Sequence, residues 1–76
     1  MNAYDELRSL GVSVETADAI APIIDALPPK KRKAFFLWVE GYTQKSAAKT
    51  AGVGYRTMKR IINSIRVSLF SSGRSS

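Results

Sequence analysis

The stretch from Gln44 to Ile61, QKSAAKTAGVGYRTMKRI, decides the fold. It reads as a helix, a tight turn and a second helix. Thr43, just before it, is a natural N-cap, because its hydroxyl can accept a free N–H of the first turn. A first helix then fits Gln44 to Ala51, and Gly52 ends it, since glycine enters positive φ without a Cβ clash. The second helix starts near Gly54–Tyr55 and runs to about Leu69. Ala48 is small, as required where the two helices touch. Val53, Met58 and Ile61 supply apolar groups after the turn and along the inner face. Tyr55, Arg56, Lys59 and Arg60 are spaced to share the outer face.

The rest of the chain is helical as well, with no segment alternating at period two. A first helix fits Ala3 to Leu10, with Tyr4, Leu7 and Leu10 on one face and Gly11 as its stop. Ser13 is the expected N-cap of the next, with Glu15 in its first turn. Val14, Ala17, Ile20, Ile24 and Leu27 form its apolar stripe. Pro22 leaves two alternatives open: a kinked helix, or a new short helix with Pro22 in its first turn. After Leu27-Pro28-Pro29 a helix spans Pro29 to Glu40, basic at its start and apolar afterwards, and Gly41 ends it. Phe35, Phe36 and Trp38 sit at helical spacing beside Ala34 and Leu37, so at least two of them belong to the core, leaving Phe36 or Val39 as the expected exposed member. Met58, Ile61, Ile62, Ile65 and Leu69 make the buried stripe of the last helix. The fold class expected is all-α: a small bundle of about five helices containing a helix-turn-helix. Residues 1–70 form one domain, and residues 71–76, SSGRSS, form a polar, disordered tail.

Composition narrows the function classes. The chain has 76 residues, enough for one small domain. It lacks cysteine and histidine, which excludes a disulfide framework and a Cys/His zinc site. Absence of cysteine fits a reducing cytoplasm. No apolar run approaches a membrane span, and MNAYDELRSL has no basic region of the kind that opens a secretory signal. The carboxylates show no pairing signature, and Gly52-Val53-Gly54 follows a helix, not the strand a phosphate-binding loop needs. An enzyme is not expected, nor a cofactor or metal.

The charge is unevenly placed. Residues 1–27 carry five acids against Arg8, a net of −4, while residues 28–76 carry eleven cations against Glu40, a net of +10. One pole of such a domain attracts polyanions and the other does not. A solvated, solubilising surface would look the same by charge alone. The cationic outer face after the turn moves the balance toward nucleic acid, with the second helix entering the major groove. Lys30-Lys31-Arg32-Lys33 opposes the macrodipole of the helix it opens, by about 0.3–1 kcal/mol per exposed cation. A ligand phosphate would offset that, as would salt and water.

From Ala26 to Leu69 the chain resembles the C-terminal, region 4-like promoter-reading domain of bacterial sigma factors, especially the extracytoplasmic-function type. It is similar, more loosely, to the DNA-binding domain of quorum-sensing response regulators. The matching residues are Leu27-Pro28, Arg32, Ala34-Phe35, Leu37, Glu40-Gly41, Thr43, Ala48, Gly52-Val53, Thr57-Met58-Lys59, Ile65-Arg66 and Leu69. The resemblance implies that the helix from Tyr55 is the recognition helix, with Thr57 and Lys59 at contact positions. It also implies that the helix from Gln44 lies across the phosphate backbone. Ser46 and Ala47 depart from the family, which usually has an acid and a bulky aliphatic there, so the packing between the two helices is expected to differ. Residues 1–25 match nothing in that family.

The expected base contacts are therefore Tyr55, Arg56, Thr57, Lys59, Arg60 and Asn63. A good bidentate arginine–guanine pair discriminates by about 1–3 kcal/mol. The expected phosphate contacts are Lys31, Arg32, Thr43, Gln44, Lys45 and Lys49. The function expected is a sequence-specific double-stranded DNA-binding transcription regulator of bacterial, phage or plasmid type, a homodimer through its N-terminal helices. The rival is a sigma-like adaptor that binds RNA polymerase or an anti-sigma factor. A recombinase-type DNA module is a third and weaker possibility.

Overall fold

Three of the helices start on a side-chain oxygen that the sequence places one residue ahead of them. A computed structural model describes the backbone of residues 2–74 and the side chains of residues 2–70. Its elements are α1 (Ala3–Ser9), α2 (Val14–Asp25), α3 (Pro29–Val39), α4 (Gln44–Ala51) and α5 (Tyr55–Arg74), with no strand among the described residues. Asn2 Oδ1 accepts the Asp5 N–H at 2.9 Å, Ser13 Oγ the Thr16 N–H at 3.3 Å, and Thr43 Oγ1 the Ser46 N–H at 3.1 Å. Each cap satisfies a donor that has no partner within the helix. Helix α3 instead opens on Pro28 and Pro29, whose missing N–H groups cost nothing in a first turn.

One device closes α1, α3 and α4. Gly11, Gly41 and Gly52 adopt positive φ, and the next N–H in each case returns to the helix: Val12 to Leu7 O, Tyr42 to Leu37 O and Val53 to Ala48 O. This is the Schellman closure. At Gly52, φ is +80° and a Cβ would meet nothing within 4 Å, so glycine is required there for its backbone angle alone.

Helix α2 runs through Pro22 as one element, so no new helix starts there. The ring is exposed, and Asp18 C=O forgoes the N–H it would otherwise receive. Burial of Ala17, Ile20, Ala21 and Ile24 against the core holds the helix together across the gap. The α2 C-terminus is also tied on both sides. Asp25 Oδ1 accepts the Ala3 N–H at 3.1 Å, and Arg32 Nη2 donates to Leu27 O at 3.2 Å and to Asp25 O at 3.4 Å.

The core has two lobes. The first joins Ala3 and Leu7 of α1, Ala17, Ile20, Ala21 and Ile24 of α2, Phe35 and Phe36 of α3, and Ile61 and Ile65 of α5. The second lies under the α4–α5 turn: Ala34, Ala47, Ala48, Ala51, Met58 and Ile62. Half-buried Trp38 touches both.

Several expectations are corrected. Of the two candidates for exposure, Phe36 is buried and Val39 is half-buried, because α3 is wedged between the lobes: Ala34 faces one while Phe35 and Phe36 face the other. Leu10 caps α1 and is exposed, and Val14, in the first turn of α2, is 47% exposed and outside the stripe. Helix α5 extends to Arg74, past the expected end near Leu69, so residues 71–74 continue the helix. Residues 75 and 76 of the expected tail lie outside the described residues.

Candidate nucleic-acid interface

Helices α4 and α5 are joined by Gly52, Val53 and Gly54 alone. Four buried alanines, one of them from α3, let α4 approach α3 and α5 closely, with Met58 and Ile62 of α5 filling the space between. The α5 side chains opposite Met58, Ile61, Ile62 and Ile65 must therefore face solvent. Tyr55, Arg56, Lys59, Arg60 and Asn63 are exposed, and Thr57 is half-buried.

Two shallow grooves flank this face. One is lined by Gln44, Lys59, Arg60, Ile62, Asn63 and Arg66. The other brings Lys31 of α3 beside Thr57, Arg60 and Ser64 of α5. Arg60 belongs to both. Arg66 and Ser64 are the members the site expectation lacked. Arg66 had a readable signal: Lys59, Asn63 and Arg66 follow i, i+4, i+7 spacing along one side of α5. Two further contacts meet at the Tyr55 ring, one from α4 and one from within α5. Lys45 Nζ lies 5.8 Å and Lys59 Nζ 5.2 Å from the centroid of the Tyr55 ring. No acidic residue follows Glu40 in the sequence, so the α4–α5 surface has no side-chain carboxylate of its own.

The basic run at the start of α3 does not act as a single patch. Lys31 joins the α5 groove, whereas Arg32 turns to the α2 carbonyls. Arg32 also lines, with Lys33, a separate groove that includes Glu6, Leu10, Phe36 and Glu40. The guanidinium of Arg32 thus caps a helix C-terminus, where a cation is favourable. Lys49 is exposed in the last turn of α4 and lines none of these grooves. Thr43 is exposed, but its hydroxyl oxygen already accepts the Ser46 N–H. Among the described residues no cluster of acids or other donors is placed to hold a metal ion, and no helix is long and apolar enough to cross a membrane.

Neither a protein-family model nor a curated protein nor a solved structure matches the chain.

Proposed function

We propose that this chain is a sequence-specific double-stranded DNA-binding transcription regulator of bacterial, phage or plasmid type, which inserts the N-terminal half of α5 into the major groove. The observation that carries the reading is the α4–turn–α5 unit, which presents Arg56, Lys59, Arg60 and Asn63 between two cation-lined grooves free of acids. A major groove admits one helix, and its phosphates flank that helix on both sides. Arg56 and Arg60 suit guanine edges, and Asn63 suits adenine. Gln44, Lys45, Lys31 and Arg66 suit phosphates, which position the protein without reading sequence. Arg32 is left out of this set because the α2 carbonyls hold its guanidinium. The resemblance to sigma-factor C-terminal domains read from residues 26–69 of the sequence implies the same docking.

One such unit reads few bases, so specificity calls for two copies on half-sites about one DNA turn apart. We place the pairing surface on the N-terminal helices, where Leu10 and Val14 are exposed.

Selection from a random duplex pool tests the reading. A recovered palindromic motif is expected. Affinity for it should fall with salt at a slope of about 0.9 per phosphate neutralised. Arg56→Ala with Lys59→Ala should abolish binding to the selected site. Equal, weak binding to all duplexes would overturn the proposal. The groove lined by Glu6, Leu10, Arg32, Lys33, Phe36 and Glu40 favours a second reading, an adaptor for RNA polymerase or an anti-sigma factor, because it mixes both charge signs with apolar surface. The same double variant should leave that association intact, as read by pull-down.

A further inference from the structure

The Lys45–Tyr55–Lys59 cluster is unusual for what it brings together. Two ammonium groups from different helices converge on one aromatic ring, at 5.8 Å and 5.2 Å from its centroid. Both distances are within the range in which a ring face attracts a cation. Tyr55 and Lys59 are one turn apart on α5, while Lys45 reaches across from the first turn of α4. The ring is 41% exposed, so the cluster is open to solvent.

Lysine is ordinarily a mobile point charge on a flexible stem, and holding it still costs rotamer entropy. A shared ring pre-orders two such charges. No carboxylate of α4 or α5 offsets their mutual repulsion, since no acid follows Glu40. An anion that approaches both ammonium groups relieves that repulsion and meets donors already in place. We propose that Lys45, Tyr55 and Lys59 form a composite site for a backbone phosphodiester, in which the Tyr55 ring is a positioning residue that orders two lysines rather than a reader of bases. The assignment of the phosphate to duplex DNA rests on the function proposed above; the anion site does not. Arg56, Arg60 and Asn63 then carry the base readout, and Tyr55 ties the phosphate contact of α4 to that of α5.

The test compares wild type with Tyr55→Phe, which keeps the ring, and Tyr55→Leu, which removes it. In the free protein, pyrophosphate is titrated while the Lys45 and Lys59 Hε and Tyr55 ring resonances are followed by NMR. Both lysines and the ring should move together in wild type and in Tyr55→Phe. In Tyr55→Leu the response should weaken several-fold. Duplex affinity is then measured over a range of salt. Tyr55→Phe should match wild type, and Tyr55→Leu should bind several-fold more weakly with its salt slope reduced by about 0.9, one phosphate.

A purely structural role for the ring would lower the stability of Tyr55→Leu but leave its salt slope unchanged, and that result overturns the proposal. So does a pyrophosphate titration that leaves both lysines unmoved, even if duplex binds. A loss of duplex affinity in Tyr55→Phe equal to that in Tyr55→Leu would make the hydroxyl the contact and likewise overturn it. Absence of duplex binding in wild type, with the pyrophosphate response intact, would remove the DNA reading and support the anion site.

Discussion

The two lobes of the core are built on opposite principles. The lobe between α1, α2, α3 and α5 is filled mainly by bulk: Leu7, Ile20, Ile24, Phe35, Phe36, Ile61 and Ile65 outweigh Ala3, Ala17 and Ala21. The lobe under the α4–α5 turn is lined by Ala34, Ala47, Ala48 and Ala51, with Met58 and Ile62 completing it. The first gains stability from the apolar area it removes from water. The second gains close approach, since alanine lets two helix backbones come near one another. Their weaknesses should have opposite signs: the first is harmed by removing atoms, the second by adding them.

The largest effect breaks the bulky lobe. Phe35 is almost fully buried and stacks edge-on against Phe36, with ring centroids 5.6 Å apart. Phe35→Ala should cost about 3–5 kcal/mol. That approaches the whole stability of a domain this small, and urea unfolding should show a partly or wholly unfolded chain at 25 °C. The matching change in the other lobe is Ala48→Leu. Overpacking there should cost about 1–3 kcal/mol, and α4 should shift away from α5. Duplex affinity per folded molecule should fall with it, because Gln44 and Lys45 move out of register with Lys59. Unchanged stability and affinity for Ala48→Leu would mean that the alanine lobe is loosely packed, and the contrast between the lobes would fail.

A smaller effect separates two arginines that the sequence alone treats alike. Arg32 serves the bulky lobe through the α2 carbonyls, so Arg32→Ala should cost about 1–2 kcal/mol, the scale of a hydrogen bond from a charged donor reduced by partial solvent exposure. Its duplex affinity per folded molecule should stay near wild type. Arg66→Ala lies on the exposed side of α5, where surface changes usually stay within about 0.5 kcal/mol of stability. Its duplex affinity and salt slope should fall. Urea unfolding and salt-dependent binding, run on both variants, check the pair.

What the sequence made legible follows the range over which each signal acts. Ser13, Thr43 and Gly52 could be placed correctly because capping and positive φ are decided within a few residues. The bounds of α4 follow from them. The role of Arg32 could not be read, because its partners are the carbonyls of Asp25 and Leu27, available only once α2 and α3 meet at an angle. Which of Phe36 and Val39 is the more exposed could not be read for a similar reason. Adjacent apolar residues cannot all face one core, but α3 has a core on each side, and only the tertiary arrangement reveals the second. Pro22 was ambiguous because the local penalty of a proline is overridden by buried neighbours, a balance with no local signature. On the candidate interface, the α5 positions could be read from helical spacing. The grouping of Lys31 with Thr57 and Arg60, and of Lys45 with Tyr55, depends on how α3 and α4 pack.

Two stability effects that differ in sign lie in the turn that joins the alanine lobe to the exposed face. Gly52 has φ at +80° with open space around it. Gly52→Ala incurs left-handed strain of about 1–2 kcal/mol, partly offset by about 0.4–1 kcal/mol from a less flexible unfolded chain. The net should be a loss near 1 kcal/mol. At Gly54 the backbone is not left-handed, and an added Cβ would meet only Thr57 Oγ1, at 3.9 Å. Gly54→Ser supplies the capping oxygen that glycine cannot give to the start of α5 and stiffens the unfolded chain, so it should gain up to about 1 kcal/mol. Urea unfolding of the two variants measures both shifts. A gain at Gly52 would mean that the turn relaxes out of the left-handed conformation, and the close approach of α4 and α5 would then depend on the alanines alone.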